Sequence, residues 1–258
     1  MSIKENQRQK KLAKKKTKER SKRKQMVAEK NSLKSVPGLI RKAQGGAIKH
    51  CWISSDLIRG DGSGMGSMLF AREISAAQWA LVVVLLDGDC LGVKDSFVRL
   101  CSPSDFGDYL DRARGPSKLV RCEPSVAKNY LDQLVDWASG FGMIPKGDFA
   151  RIYPIFADID GSASQQQYRF GIDGQPHFIQ GPHDSPEFVR KVMSLLRANC
   201  EPGAYKFSLF MAEGQASILL PGDFEGPEWD DDMDDDQEAD VIDSTAVRRI
   251  DAATTTPN

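Results

Sequence analysis

The chain has 258 residues, with 35 Lys/Arg against 36 Asp/Glu and a formal net charge of −1. Its longest apolar run, Ala80 to Leu86, is far too short to cross a bilayer, and no apolar segment follows the charged N-terminus as it would in a secretory signal. The five cysteines (Cys51, Cys90, Cys101, Cys122 and Cys200) form no Cys-x-x-Cys pair, which argues against a zinc ribbon or a disulfide framework and for a reducing, cytoplasmic setting.

The small net charge hides a division. Residues 1–34 hold 14 Lys/Arg against three Glu, whereas residues 221–243 hold 12 Asp/Glu and no Lys or Arg. Blocks of like charge repel and pack no core, so both ends read as interaction tails. Three units follow: a disordered basic arm (1–35), a nearly neutral core domain (36–220) and a disordered acidic tail (221–258). In the arm, Lys10, Lys11, Lys14, Lys15, Lys16, Lys18, Arg20, Lys22, Arg23 and Lys24 recur every few residues, and no Pro or Gly precedes Pro37. Such a segment is solvated alone and becomes helical against a phosphate backbone, releasing counterions as it binds. It carries no aromatic residue, so it has no base-stacking platform and reads charge, not sequence. In the tail, Asp230 to Asp232 and Asp234 to Asp236 lack the glycine turn and terminal Glu of a calcium loop.

Within the core, Cys51 to Ser54 predicts a short strand, and a loop with glycines at 60, 62, 64 and 66 follows. Residues 67–74 predict a strand with Met68, Phe70 and Arg72 on one side and Leu69, Ala71 and Glu73 on the other. The β-branched, continuously apolar stretch from Trp79 to Leu86 predicts a strand buried on both faces. Asp87-Gly88-Asp89 turns the chain into a strand reaching Leu100, so this half is an antiparallel meander. Glu123-Pro124 opens a helix with Val126, Tyr130, Leu134 and Trp137 on its apolar stripe, and Gly140 closes it. A shorter element over 149–156 is broken by Pro154. Asp173-Gly174 between Tyr168–Phe170 and His177–Ile179 predicts a hairpin. Asp184 or Ser185 caps a second helix, and 205–210 is a last strand. The fold class is α+β, a largely antiparallel sheet with packed helices.

Several segments together resemble one family. They are Trp52-Ile53-Ser54, Phe70-Ala71-Arg72-Glu73, Cys90-Leu91-Gly92-Val93-Lys94-Asp95, Ala157-Asp158-Ile159-Asp160, Phe170-Gly171-x-Asp173-Gly174-x-Pro176 and Gly181-Pro182-x-Asp184-Ser185-Pro186. The arrangement resembles uncharacterised bacterial proteins with a Lys/Arg-rich N-terminus, and it spans Lys49 to Phe210. The resemblance implies no activity and assigns no catalytic residue.

Candidate chemistry rests on carboxylates. Asp87, Asp89 and Asp95 follow a buried strand, and Asp158 and Asp160 follow a second element. Were they to converge, they would suit two Mg²⁺ ions and phosphodiester hydrolysis, although Asp at strand ends is also ordinary turn chemistry. Leu91 to Ser96 is also similar to a segment of type 2 ribonucleases H, whose other signature residues are missing. The glycine loop lacks a following helix and a Gly-Lys-Ser/Thr, so it reads as a flexible hairpin loop and not a phosphate cradle. His50 and Cys51 with Cys90 or Cys122 have no ligand spacing for a metal. Cys90 would be a nucleophile only beside His177 or His183, and Tyr168, Phe170 and Phe178 either stack bases or fill the core. The resulting expectation is a cytoplasmic, non-enzymatic module without a cofactor or membrane contact. Its arm meets nucleic acid, RNA or a ribosomal assembly, and its acidic tail offers a surface to protein partners. The alternatives are the Mg²⁺-dependent nuclease on Asp87, Asp89, Asp95, Asp158 and Asp160, and a protein-interaction adaptor.

Overall fold

A computed structural model describes residues 14–24, 33–210 and 216–219. The first helix, α1, covers residues 14–24, and every residue on it is exposed. Lys10, Lys11 and the acidic tail lie outside the described residues. Leu33 already packs on the core. Ser35 then caps α2 (Val36–Ala43) by accepting from Gly38 N–H, with Pro37 in the first turn and Arg41 and Lys42 in the last.

The main sheet is built from β1 (Ile48–Ser54), β2 (Met65–Ser75), β3 (Gln78–Asp87), β4 (Gly92–Cys101) and β5 (Leu119–Arg121), in the order β4-β3-β2-β1-β5. Every pair in it is antiparallel, so the meander holds. Side chains alternate as expected on β2. Met68 and Phe70 enter the larger cluster, and Leu69 and Ala71 the cluster on the opposite face. Central β3 is apolar on both sides, with Val82 and Val84 facing one cluster and Leu81 and Val83 the other.

Helices cover both faces. Against the larger cluster pack α2, α5 (Pro124–Ser139) and α6 (Phe149–Ile152), which runs into a 3-10 turn at Tyr153–Phe156. A second 3-10 turn, Gly161–Ala163, packs against α5. On the other face lies α4 (Pro103–Ser117), which places Phe106 and Leu110 against Leu81 and Leu119. Ser102 and Asp105 form a reciprocal capping box at its start. The sequence reading placed no element there, nor did it find the short α3 (Ser55–Arg59).

A smaller sheet holds β6 (His177–Ile179), β7 (Lys206–Phe210) and β8 (Ala216–Leu219). With α7 (Pro186–Asn199) and the end of α5 it encloses Phe178, Val192, Leu196 and Phe207. Here the expected hairpin is corrected. Asp173-Gly174 does make a two-residue turn, both at positive φ, and Ile172 and Gln175 exchange both backbone bonds. The flanking residues do not pair. Arg169 N–H goes to Asp61 O and Gly171 N–H to Gly88 O, while β6 pairs in parallel with β7. Among the described residues no helix is long and apolar enough to cross a membrane.

Candidate functional site

The turn after β3 is where the candidate residues gather. Asp87 Oδ1 accepts from the N–H groups of Asp89 and Cys90, each at 3.0 Å, and so fixes the turn. Asp89 Oδ1 accepts from Gly64 N–H at 2.8 Å, and Gly88 N–H donates to Gly64 O at 2.8 Å. The glycine loop, with α3, does connect the antiparallel pair β1 and β2 as a hairpin loop would, but it is pinned by these bonds. It joins α3 to β2 and lies back to back with this turn, so close that a Cβ on Gly88 would sit 2.1 Å from Gly62 O. Tyr130, on α5, adds a bond from its hydroxyl to Gly62 O.

From the far side comes β6. His177 N–H donates to Asp89 O at 2.8 Å, and its Nε2 meets Ser208 Oγ on β7 at 2.9 Å. A cavity of about 270 Å³ results, lined by Asp87, Asp89, Lys94, His177 and the stretch from Ile179 to Pro182. Lys94 Nζ lies 3.8 Å from Asp184 Oδ1, and Asp184 Oδ2 accepts from Gly181 N–H. The segments Cys90–Asp95, Phe170–Pro176 and Gly181–Pro186 thus meet at one place.

The electrostatics follow from burial. Asp87 is 5% exposed. Desolvation pushes its carboxyl up to about 6, and neighbouring Asp89 adds to this against the pull of two N–H bonds and Lys94. Burial lowers the His177 imidazole, with Asp89 opposing, so the ring is neutral at pH 7. Its Nδ1 is buried without a hydrogen-bond partner among the described residues. The cavity wall therefore carries a carboxyl raised by burial and a neutral imidazole whose Nε2 is held by Ser208.

The five candidate carboxylates do not converge. Asp95 is exposed on β4 and its Oδ1 accepts from Ser96 N–H. Asp158 is ion-paired with Arg72, and Asp160 caps the 3-10 turn through Ser162. No group of three His, Cys, Asp or Glu among the described residues is placed to hold a metal ion. The expected convergence is corrected for a simple reason: Asp158 and Asp160 leave a different edge of the core and are each engaged there.

Other candidates resolve in the same way. Cys90 is fully buried, and desolvation raises its thiol well above the usual range, so it is a packing residue. His183 is exposed, and the His50 ring stacks on Phe106. Cys51 and Cys122 do touch, Sγ to Sγ at 3.6 Å. Phe170 and Phe178 are 3% and 0% exposed, so they form no base-stacking face. Sequence reasoning missed Lys94 and the pairing of His177 with the Asp87 turn. The signal lay in the motif segments around Cys90, Pro176 and Gly181, taken together. Comparison of the chain with protein-family models, with curated proteins and with solved structures finds no match.

Proposed function

We propose that this protein binds a polyanion through its N-terminal helix, and that the polyanion is the phosphate backbone of a nucleic acid, RNA or a ribosomal assembly. One observation carries the reading: of the 11 exposed residues of α1, eight are Lys or Arg and one is Glu. Lys14, Lys15, Lys16, Lys18, Arg20, Lys22, Arg23 and Lys24 lie all round that helix, so it presents cations to a groove or a fold of backbone from any side. The absence of aromatic residues in the arm supports binding by charge, indifferent to base sequence. The α+β core acts as the body that the arm tethers.

The test is fluorescence anisotropy of labelled RNA and DNA with the full chain across a salt series. Four to eight phosphates neutralised would give a slope of log affinity against log salt between about −3 and −7. Replacing the eight α1 cations by Gln should abolish binding at 0.15 M salt. Unchanged affinity in that variant, or a flat salt response, would remove the proposal. Including Mg²⁺ and scoring cleavage separates the nuclease alternative, which no gathering of carboxylates among the described residues supports.

A further inference from the structure

A second cavity, of about 460 Å³, opens between Leu91, the loop from Gly142 to Lys146 and α7. Its size falls in the range of small-molecule pockets, and its walls are apolar, with Met143, Ile144, Val192 and Leu195 among them. Three charged residues line it: Lys146, Glu187 and Lys191. Lys146 Nζ sits over the Phe188 ring, 3.2 Å from its centre.

The charges around this cavity do not balance. Glu187 faces Arg190 at 3.5 Å, and Asp184 faces Lys94 at 3.8 Å. Lys146 and Lys191 make no ion pair among the described residues. The one further acid that acts on Lys146 is Asp95, whose Oδ1 already accepts from Ser96 N–H. A surplus of one positive charge remains at the mouth of an apolar hole. Desolvation, with Lys94 and Lys191 nearby, holds the Lys146 ammonium below its ordinary range although the side chain as a whole is exposed, while Asp184 and Asp95 act the other way.

We infer that this cavity binds a small anion with an apolar body, such as a medium-chain carboxylate or an alkyl phosphate. The chain or ring lies between Leu91, Ile144 and Leu195, and the head meets Lys146 and Lys191. An anionic head relieves the crowding of the two ammonium groups, whereas a cationic head worsens it. The site is separate from the arm, and it gives the core a ligand of its own.

The test is titration calorimetry of the full chain with octanoate, octyl phosphate, octanol and octylammonium. Octanoate or octyl phosphate should bind saturably, octanol about tenfold more weakly, and octylammonium not at all. Whichever anion binds more tightly identifies the head. Lys191→Met should weaken anion binding about three- to fivefold and leave octanol unchanged. Leu195→Trp fills the hole and should abolish binding of both, with the melting temperature confirming that the variant is folded. The variant with eight α1 cations replaced by Gln should bind the anions as before, because the arm is not part of this site. Equal binding of octanol and octanoate overturns the inference. So does no binding at millimolar concentration, insensitivity to Lys146→Met with Lys191→Met, or loss of binding in the arm variant.

Discussion

Asp87→Asn should make the protein more stable at neutral pH, and the reason lies in a buried charge. The Asp87 carboxyl rises from an ordinary value of 3.8 to about 6 on folding. At about 1.4 kcal/mol per pH unit, that difference amounts to about 3 kcal/mol. Well below pH 3.8 the group is protonated in both states and costs nothing. Between about 4 and 6 the unfolded chain loses the proton and the native state keeps it, so stability falls as pH rises. Above 6 the native state carries the buried carboxylate and the whole cost. Asn keeps an oxygen that accepts from Asp89 and Cys90 N–H and brings no charge. Urea unfolding at pH 3.5 and pH 7.5 measures the effect. Asn should gain about 1–3 kcal/mol over wild type at the higher pH and differ little at the lower, allowing for strain in replacing a fitted group. A variant less stable than wild type at pH 7.5, or one with an unchanged pH slope, would refute the account of Asp87 as a desolvated acid.

The neighbouring turn offers a steric test. Gly88→Ala places a Cβ 2.1 Å from Gly62 O. It should cost about 3 kcal/mol and lower the melting temperature by about 6–12 °C, with the glycine loop becoming the first site of proteolysis. Arg72 is 1% exposed and donates to Gln44 O and Gly46 O besides its pair with Asp158. Arg72→Met should therefore cost about 2–3 kcal/mol in urea unfolding by orphaning two carbonyls, since the exposed Asp158 carboxylate is taken up by water, and a loss below about 1 kcal/mol would count against that role. Thiol chemistry checks the cysteine environments. The Cys122 thiol, half-buried and lowered by a hydrogen bond from Cys51, should alkylate first in the native state, and fully buried Cys90 last, as read by mass spectrometry of iodoacetamide-treated protein.

Local pattern was enough for a large part of the fold. The alternation along β2 and the unbroken apolar run of β3 define a meander without reference to distant residues. Pro124 and Gly140 mark the ends of α5, and Ser185 marks the start of α7, because capping is settled within a turn of the chain. The two charged blocks are compositional and needed no fold at all. The α4 helix escaped notice because Gly107, Gly115 and Pro116 weaken its propensity, and its place depends on burying Phe106 and Leu110 beneath the sheet. Only the tertiary structure decided which charges meet. Asp158 looked like a partner for Asp87, yet it pairs with Arg72, 86 residues away. His177 looked like one arm of a hairpin, yet its backbone binds Asp89 and its ring binds Ser208. Sequence spacing determines what adjoins along one helix or strand. Which strand end faces which loop depends on how the buried faces pack, and those contacts join residues far apart in the chain.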